Sequence, residues 1–186
     1  MHANIETVVK EIIETNRRIS AFWKDAGGWA PIEAAELLSK SRLDWQVELS
    51  ESLRLWIVTP NALAPNAHLI LGWANLGALV EGTMKWYLSV FYSDYRTDIN
   101  ALVRKGDLVP PDEQTLEPLR QFFQKRIWNA SDEWSDWVLK IQQRRNAIHA
   151  FKSRDLGDHK ELIDDIIRYS NFLSELHNCV PYPDSY

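Results

Sequence analysis

The sequence is short of several things that would each have suggested a function. It has one cysteine, Cys179, among 186 residues, which excludes an intramolecular disulfide framework and fits a reducing compartment. It has no glycine-rich phosphate loop: "DAGGWAP", residues 25–31, carries two glycines but neither the lysine nor the preceding strand that such a loop requires. It has no apolar run fit to span a bilayer, since the least polar stretch, Leu69 to Val80, is too short and too interrupted. The opening "MHANIETVVKEIIE" lacks the basic head and apolar run of a signal peptide. These absences lead us to expect a cytoplasmic protein with no membrane partner. His2, His68, His159 and His177 show neither H-x3-H nor H-E-x-x-H spacing, and the nearest metal-like pair is His177 with Cys179. Neither a metal site nor a cofactor is therefore expected. Positive charge is also short: the net charge is −5, so any contact with nucleic acid must rest on a local basic patch.

Helical periodicity is present almost everywhere. The chain is long enough for one domain with a real core, and nine tryptophans imply heavy aromatic packing. Ile5, Val8, Val9, Ile12, Ile13 and Ile19 recur at threes and fours, which predicts a helix over 3–24. Gly27 and Gly28 break it. Pro31 suits the first position of a second helix, expected to run to about residue 58 with Leu37, Leu38, Trp45, Leu49, Leu53 and Trp56 on its apolar side. After the linker "TPNALAPNAH", the stretch "LILGWANLGALVEGTMKWYLSVFYSDY" is apolar on most sides, as expected of a central bundle helix. "RKGDLVPPDEQ" reads as a loop, and a short helix over about 115–128 follows, with Thr115 as its cap. Ser131, Asp132 and Glu133 open a further helix expected to end near 151–153. Asp158 and "DHKE" start a last helix over 159–178. No β-hairpin is expected. The reading is an all-α helical bundle: an N-terminal helical hairpin over 1–58 packed on a bundle over 67–178 as one compact unit, and an irregular tail over 179–186.

One stretch does not fit a plain core helix. "QQRRNAIHAF", residues 142–151, places Arg144, Arg145, Asn146 and His149 within two turns. With Trp134 as reference and about 100° per residue, Trp137, Val138, Ile141 and Ile148 define a buried stripe. Arg145 then falls near the middle of that stripe, at about 20°, His149 on its shoulder at about 60°, and Arg144 on the other shoulder. A buried arginine needs a partner. An internal carboxylate, a subunit interface or an anionic ligand in a cleft would each supply one.

"RRNAIH" resembles the R-x4–6-H motif of the HEPN superfamily, all-helical domains found in many RNA-cleaving toxins and antiviral effectors. Arg144 to His149 matches the short spacing. In many members a polar residue, often Asn, follows the arginine; here Arg145 takes that place and Asn146 comes one later, so either arginine fits the role. The resemblance spans about residues 67–178. It implies metal-independent endoribonuclease chemistry, in which the ribose 2′-hydroxyl attacks the adjacent phosphorus. His149 would move the protons, Arg144 ranks first as the group that stabilises the phosphate charge with Arg145 in support, and Asn146 would orient the histidine or hydrogen-bond the phosphate. Glu81, in "ALVEGTMKW", is the candidate acidic member on an earlier helix. The resemblance also implies RNA as partner, a homodimer that brings two motifs to one cleft, Lys152 and Arg154 on the RNA backbone, and an antitoxin or defence-system partner protein. The alternative is a non-catalytic HEPN-like module that binds RNA, a nucleotide or a protein.

Overall fold

A computed structural model describes residues 4–60, 63–149 and 151–182. Among them the fold is all-α, with eight α-helices: α1 (Ile5–Trp23), α2 (Ile32–Lys40), α3 (Leu43–Glu51), α4 (Pro65–Val90), α5 (Tyr92–Thr97), α6 (Leu116–Arg126), α7 (Trp134–Arg145) and α8 (His159–Cys179). No described helix is long and apolar enough to cross a membrane. Position 3, the expected start of the first helix, and positions 183–186 of the expected tail lie outside the described residues.

α4 is the axis of the molecule. It is apolar on most of its circumference, and Trp73, Leu76, Leu79, Val80 and Met84 are fully enclosed. α7, α8 and α6 cover one part of α4, while α2 and α3 cover another. α1 lies against α3 and α8 through Val8, Val9, Ile12 and Ile13, the residues whose spacing predicts it. Between α3, α4 and α8 the core holds a polar knot. Gln46 donates to the Leu79 carbonyl at 2.8 Å, and the Thr83 and Tyr169 hydroxyls meet at 3.0 Å. Burial without full solvation pushes the Tyr169 phenol up to about 12, despite hydrogen bonds that pull it down.

Four local expectations are corrected. The helix expected over 31–58 is broken at Ser41–Arg42 into α2, α3 and a 3-10 turn at Ser52–Leu55. Ser41 turns extended, and its hydroxyl bonds the Leu38 carbonyl at 2.6 Å, an alternative to continuing the helix. Arg42 then clamps Asp44 and lies 3.9 Å over the ring of Trp45, so Trp45 is exposed rather than on the apolar side.

A short hairpin exists where a loop was expected. Val103–Arg104 (β1) pairs antiparallel with Asp107–Leu108 (β2). Lys105 and Gly106 both adopt positive φ, 56° and 95°, which is the geometry of a two-residue hairpin turn. Lys-Gly is a weaker signal than Asn-Gly, because lysine pays for the left-handed conformation.

The motif helix is the third correction. α7 ends at Arg145, and Asn146–His149 form a 3-10 turn. The Asn146 N–H is shared between the carbonyls of Arg144 and Gln142, which tightens the last turn. Rotation of 100° per residue therefore stops holding before His149 is reached. Fourth, Ile148 leaves the buried stripe and is 47% exposed, whereas Trp137, Val138 and Ile141 are buried as expected. Of the two arginines it is Arg144, not Arg145, that lies buried.

Candidate functional site

Four segments supply the site: the middle of α4 with Glu81, the last turn of α7 with Arg144 and Arg145, the 3-10 turn with Asn146 and His149, and the 151–158 loop leading into α8. The two neighbouring arginines point to different partners.

Arg144 turns inward. Its side chain is only 6% exposed, and its Nη2 lies 3.0 Å from Glu161 Oε2 and 3.7 Å from Asp155 Oδ2. Its guanidinium carbon sits 4.7 Å from the centroid of the Trp73 ring. Trp73 in turn donates its indole N–H to the Leu156 carbonyl at 2.8 Å. Glu161 belongs to the capping box of α8: Asp158 accepts from the Glu161 N–H, and Glu161 accepts from the Asp158 N–H. Arg144 thus ties the end of α7 to the start of α8. Gly157 makes room for this tie. It has φ +59°, and a Cβ there would lie 2.5 Å from Arg144 Nη2 and collide with the Glu161 carboxylate. Nη1 of Arg144 is buried with no hydrogen-bond partner among the described residues.

Arg145 runs across the surface of α4. Its Nη1 lies 2.5 Å from Glu81 Oε2, and Lys85 holds the other carboxylate oxygen at 2.9 Å. Its stem lies against Gly77, where a Cβ would meet Arg145 Cδ at 2.6 Å. That close approach is why the position favours glycine. Arg145 keeps 32% of its side chain exposed, five times the fraction left to Arg144. Burial pushes the Glu81 carboxyl up, but the hydrogen bonds and charges of Arg145 and Lys85 outweigh it and hold the carboxyl below its usual range.

His149 is exposed at the end of the 3-10 turn, with no hydrogen bond or ring contact among the described residues. Around it in sequence stand half-exposed Ile148, fully exposed Phe151, and exposed Lys152 and Arg154. Asn146 is half-buried at the C-cap of α7. A small cavity of about 270 Å³ opens beside Arg144, lined by Lys140, Gln143, Arg144, Ser153, Arg154 and Asp155. His149 does not line it. Among the candidates, then, Glu81 and Arg145 are brought into contact, Arg144 and Arg154 share a cavity, and His149 stands clear on the surface.

Several residues that build the site escape sequence reasoning. Glu161 and Asp155, which hold Arg144, lie 17 and 11 positions away. The "DHKE" capping signal marked Glu161 as an N3 residue but not as an arginine partner. Trp73 and Gly77 had only their place in an apolar helix to recommend them. No group of three or more His, Cys, Asp or Glu side chains that could hold a metal occurs among the described residues. In comparisons with known proteins, no family model, no curated protein and no solved structure matches this chain.

Proposed function

We propose that the chain is an HEPN-type, metal-independent endoribonuclease that cleaves RNA by attack of the ribose 2′-hydroxyl on the adjacent phosphorus. The observation that carries the reading is His149: a solvent-exposed imidazole with no partner among the described residues, four positions after an arginine held in place by Glu81. An exposed imidazole can take the 2′-hydroxyl proton through one ring nitrogen or give a proton to the leaving oxygen. The guanidinium offers planar donors to the phosphate oxygens as charge builds on them. The accessibility of the two arginines supports Arg145 in that role, with Glu81 orienting it. Arg144 then acts as a positioning residue, through α8 and the loop that carries Lys152 and Arg154. Asn146 sits between the arginine and the histidine, where its amide can orient either the imidazole or the phosphate.

One histidine serves one proton at a time. A homodimer with two His149 rings at a shared cleft supplies both acid and base, and the exposed Ile148 and Phe151 flanking the histidine support an interface there. Two copies of Arg145, Lys152 and Arg154 would give an acidic protein the local positive field that RNA needs. On this reading the protein acts in the cytoplasm as a toxin or antiphage effector, held in check by an antitoxin or released by a defence-system partner.

A second reading is a non-catalytic HEPN-like module that binds RNA, a nucleotide or a protein. It is favoured by one observation: both motif arginines already have carboxylate partners. The deciding experiment is incubation of wild-type protein and His149→Ala with total RNA in EDTA, with fragment ends mapped. Cleavage by wild type alone, leaving cyclic phosphate ends, is expected. RNA binding without cleavage by either protein would select the second reading, and equal cleavage by both would remove His149 from the chemistry.

A further inference from the structure

Two histidines that no sequence spacing links, 91 positions apart, are brought together by the fold. His68 lies in the first turn of α4 and His159 is the first residue of α8. Their ring centroids are 5.4 Å apart. Both Nε2 atoms point at one acceptor, the carbonyl oxygen of Trp56, at 3.2 Å from His68 and 2.9 Å from His159. Both rings are half-buried, so they are partly desolvated yet reachable.

We propose that the Nε2 atoms of His68 and His159, with the carbonyl oxygen of Trp56, form a site for one divalent transition-metal ion with octahedral preference, of the nickel or cobalt class. The nitrogen–oxygen distances suit an octahedral face as well as they suit the two hydrogen bonds. Adjacent donors about 2.1 Å from a metal stand about 3.0 Å apart in an octahedron and about 3.4 Å apart in a tetrahedron. The two nitrogen–oxygen separations, 2.9 and 3.2 Å, bracket the octahedral value. The three atoms would occupy one face of the octahedron and leave three positions for water. Imidazole is a suitable ligand for such ions.

The proton balance also works. In the metal-free state each ring can donate its Nε2–H to the carbonyl. On binding, a modest rotation of each ring turns the nitrogen lone pair to the metal, and the proton moves from Nε2 to Nδ1. Neither Nδ1 has a hydrogen-bond partner among the described residues, so both are free to carry it. Neutral rings therefore bind without net proton release, and protonated rings do not bind. The ion would join three segments: the end of the 3-10 turn after α3, the start of α4 and the start of α8. The last is the turn whose Glu161 holds Arg144. The site is independent of the RNA-cleaving chemistry, which is tested in EDTA.

The test is titration of Ni²⁺, and separately Co²⁺, into the full-length protein, followed by calorimetry and by the imidazole proton signals in NMR. One ion per chain is expected, with paramagnetic broadening of the His68 and His159 signals first. His68→Ala and His159→Ala should each weaken binding by at least about tenfold, while His149→Ala leaves it unchanged. His68→Asn and His159→Asn keep an N–H donor for the Trp56 carbonyl, and should lose metal binding while retaining the wild-type circular dichroism spectrum. Equal affinity in wild type and the His68 and His159 variants would overturn the proposal. So would broadening confined to other histidines, or no binding by folded wild-type protein.

Discussion

Arg144 and Glu161 lie 3.0 Å apart, and this pair joins the last turn of α7 to the first turn of α8 across a loop that carries Lys152 and Arg154. One partner is buried and the other half-exposed, so the pair falls between the two ordinary regimes of ion-pair energetics. Breaking a fully buried pair costs several kcal/mol, whereas an exposed one contributes little. The guanidinium also rests on Trp73, which adds a cation–π contact. Against these gains stands the unpartnered Nη1.

From that balance, Arg144→Met should destabilise the fold by about 1–3 kcal/mol. Glu161→Gln, which keeps part of the capping box, should cost less. The double variant should show a coupling energy on the order of 1 kcal/mol in a urea-unfolding cycle. Strictly additive losses would mean that Arg144 acts through Trp73 rather than through Glu161.

Gly157→Ala tests the same junction from the backbone side. The residue sits at φ +59°, where a side chain is strained, and its Cβ would crowd Arg144 and Glu161. A loss of about 1–2 kcal/mol is expected from the backbone alone. Hydrogen exchange should rise at the first turn of α8 and in the 151–158 loop before it rises elsewhere. Uniform loss of protection would place the effect in the global fold instead.

Glu81→Gln separates stability from activity. The Glu81 carboxyl is held below its usual range in the folded protein, so its stabilising effect is complete above the unfolded value, near 4.5, and is lost as pH falls through the folded value. Unfolding free energies measured between about pH 3 and 7 should therefore fall less steeply on the acid side for the variant than for wild type. At neutral pH the variant should lose about 1 kcal/mol. On the proposed reading its RNA cleavage should drop more than tenfold, because Arg145 loses its anchor. Cleavage at the wild-type rate would take Glu81 and Arg145 out of the chemistry.

Phe151 is 97% exposed, so packing gives no reason for an aromatic there. Phe151→Ala should leave stability within about 0.5 kcal/mol of wild type. If the ring stacks on an unpaired base, single-stranded RNA should bind at least about fivefold more weakly to the variant, with the salt dependence unchanged. Lys152→Ala should do the opposite, lowering the salt slope by about one ion. If Phe151→Ala instead converts a dimer to monomers at unchanged RNA affinity per chain, the ring serves the subunit interface.

Much of the fold was legible in the chain itself. The threes and fours of Ile5 to Ile19 marked α1, the all-round apolarity of residues 69–90 marked α4 as central, and Asp158 with Glu161 marked the start of α8. Those signals are local, because a helix's periodicity and caps are written within its own turns. The basic cluster at 144–149 and the acid at Glu81 were also legible as residues that a plain core helix does not need.

Their roles were not. Which arginine is buried was decided by partners on other elements, Glu161 and Trp73 for Arg144 and Glu81 for Arg145, and α7 stops at Arg145, six to eight residues before the expected end at 151–153. Asn146 shares its N–H between two carbonyls, and the following turn is set by packing against α4. That Arg144 meets Glu161, that Arg145 meets Glu81 across Gly77, and that His68 and His159 converge on one carbonyl are all long-range outcomes. Each pair is separated by 16 or more positions in the sequence, and only the packing of α4, α7 and α8 brings them within reach. Sequence period orders residues around one axis. The contacts that give a charged side chain its partner are decided by how several axes pack together.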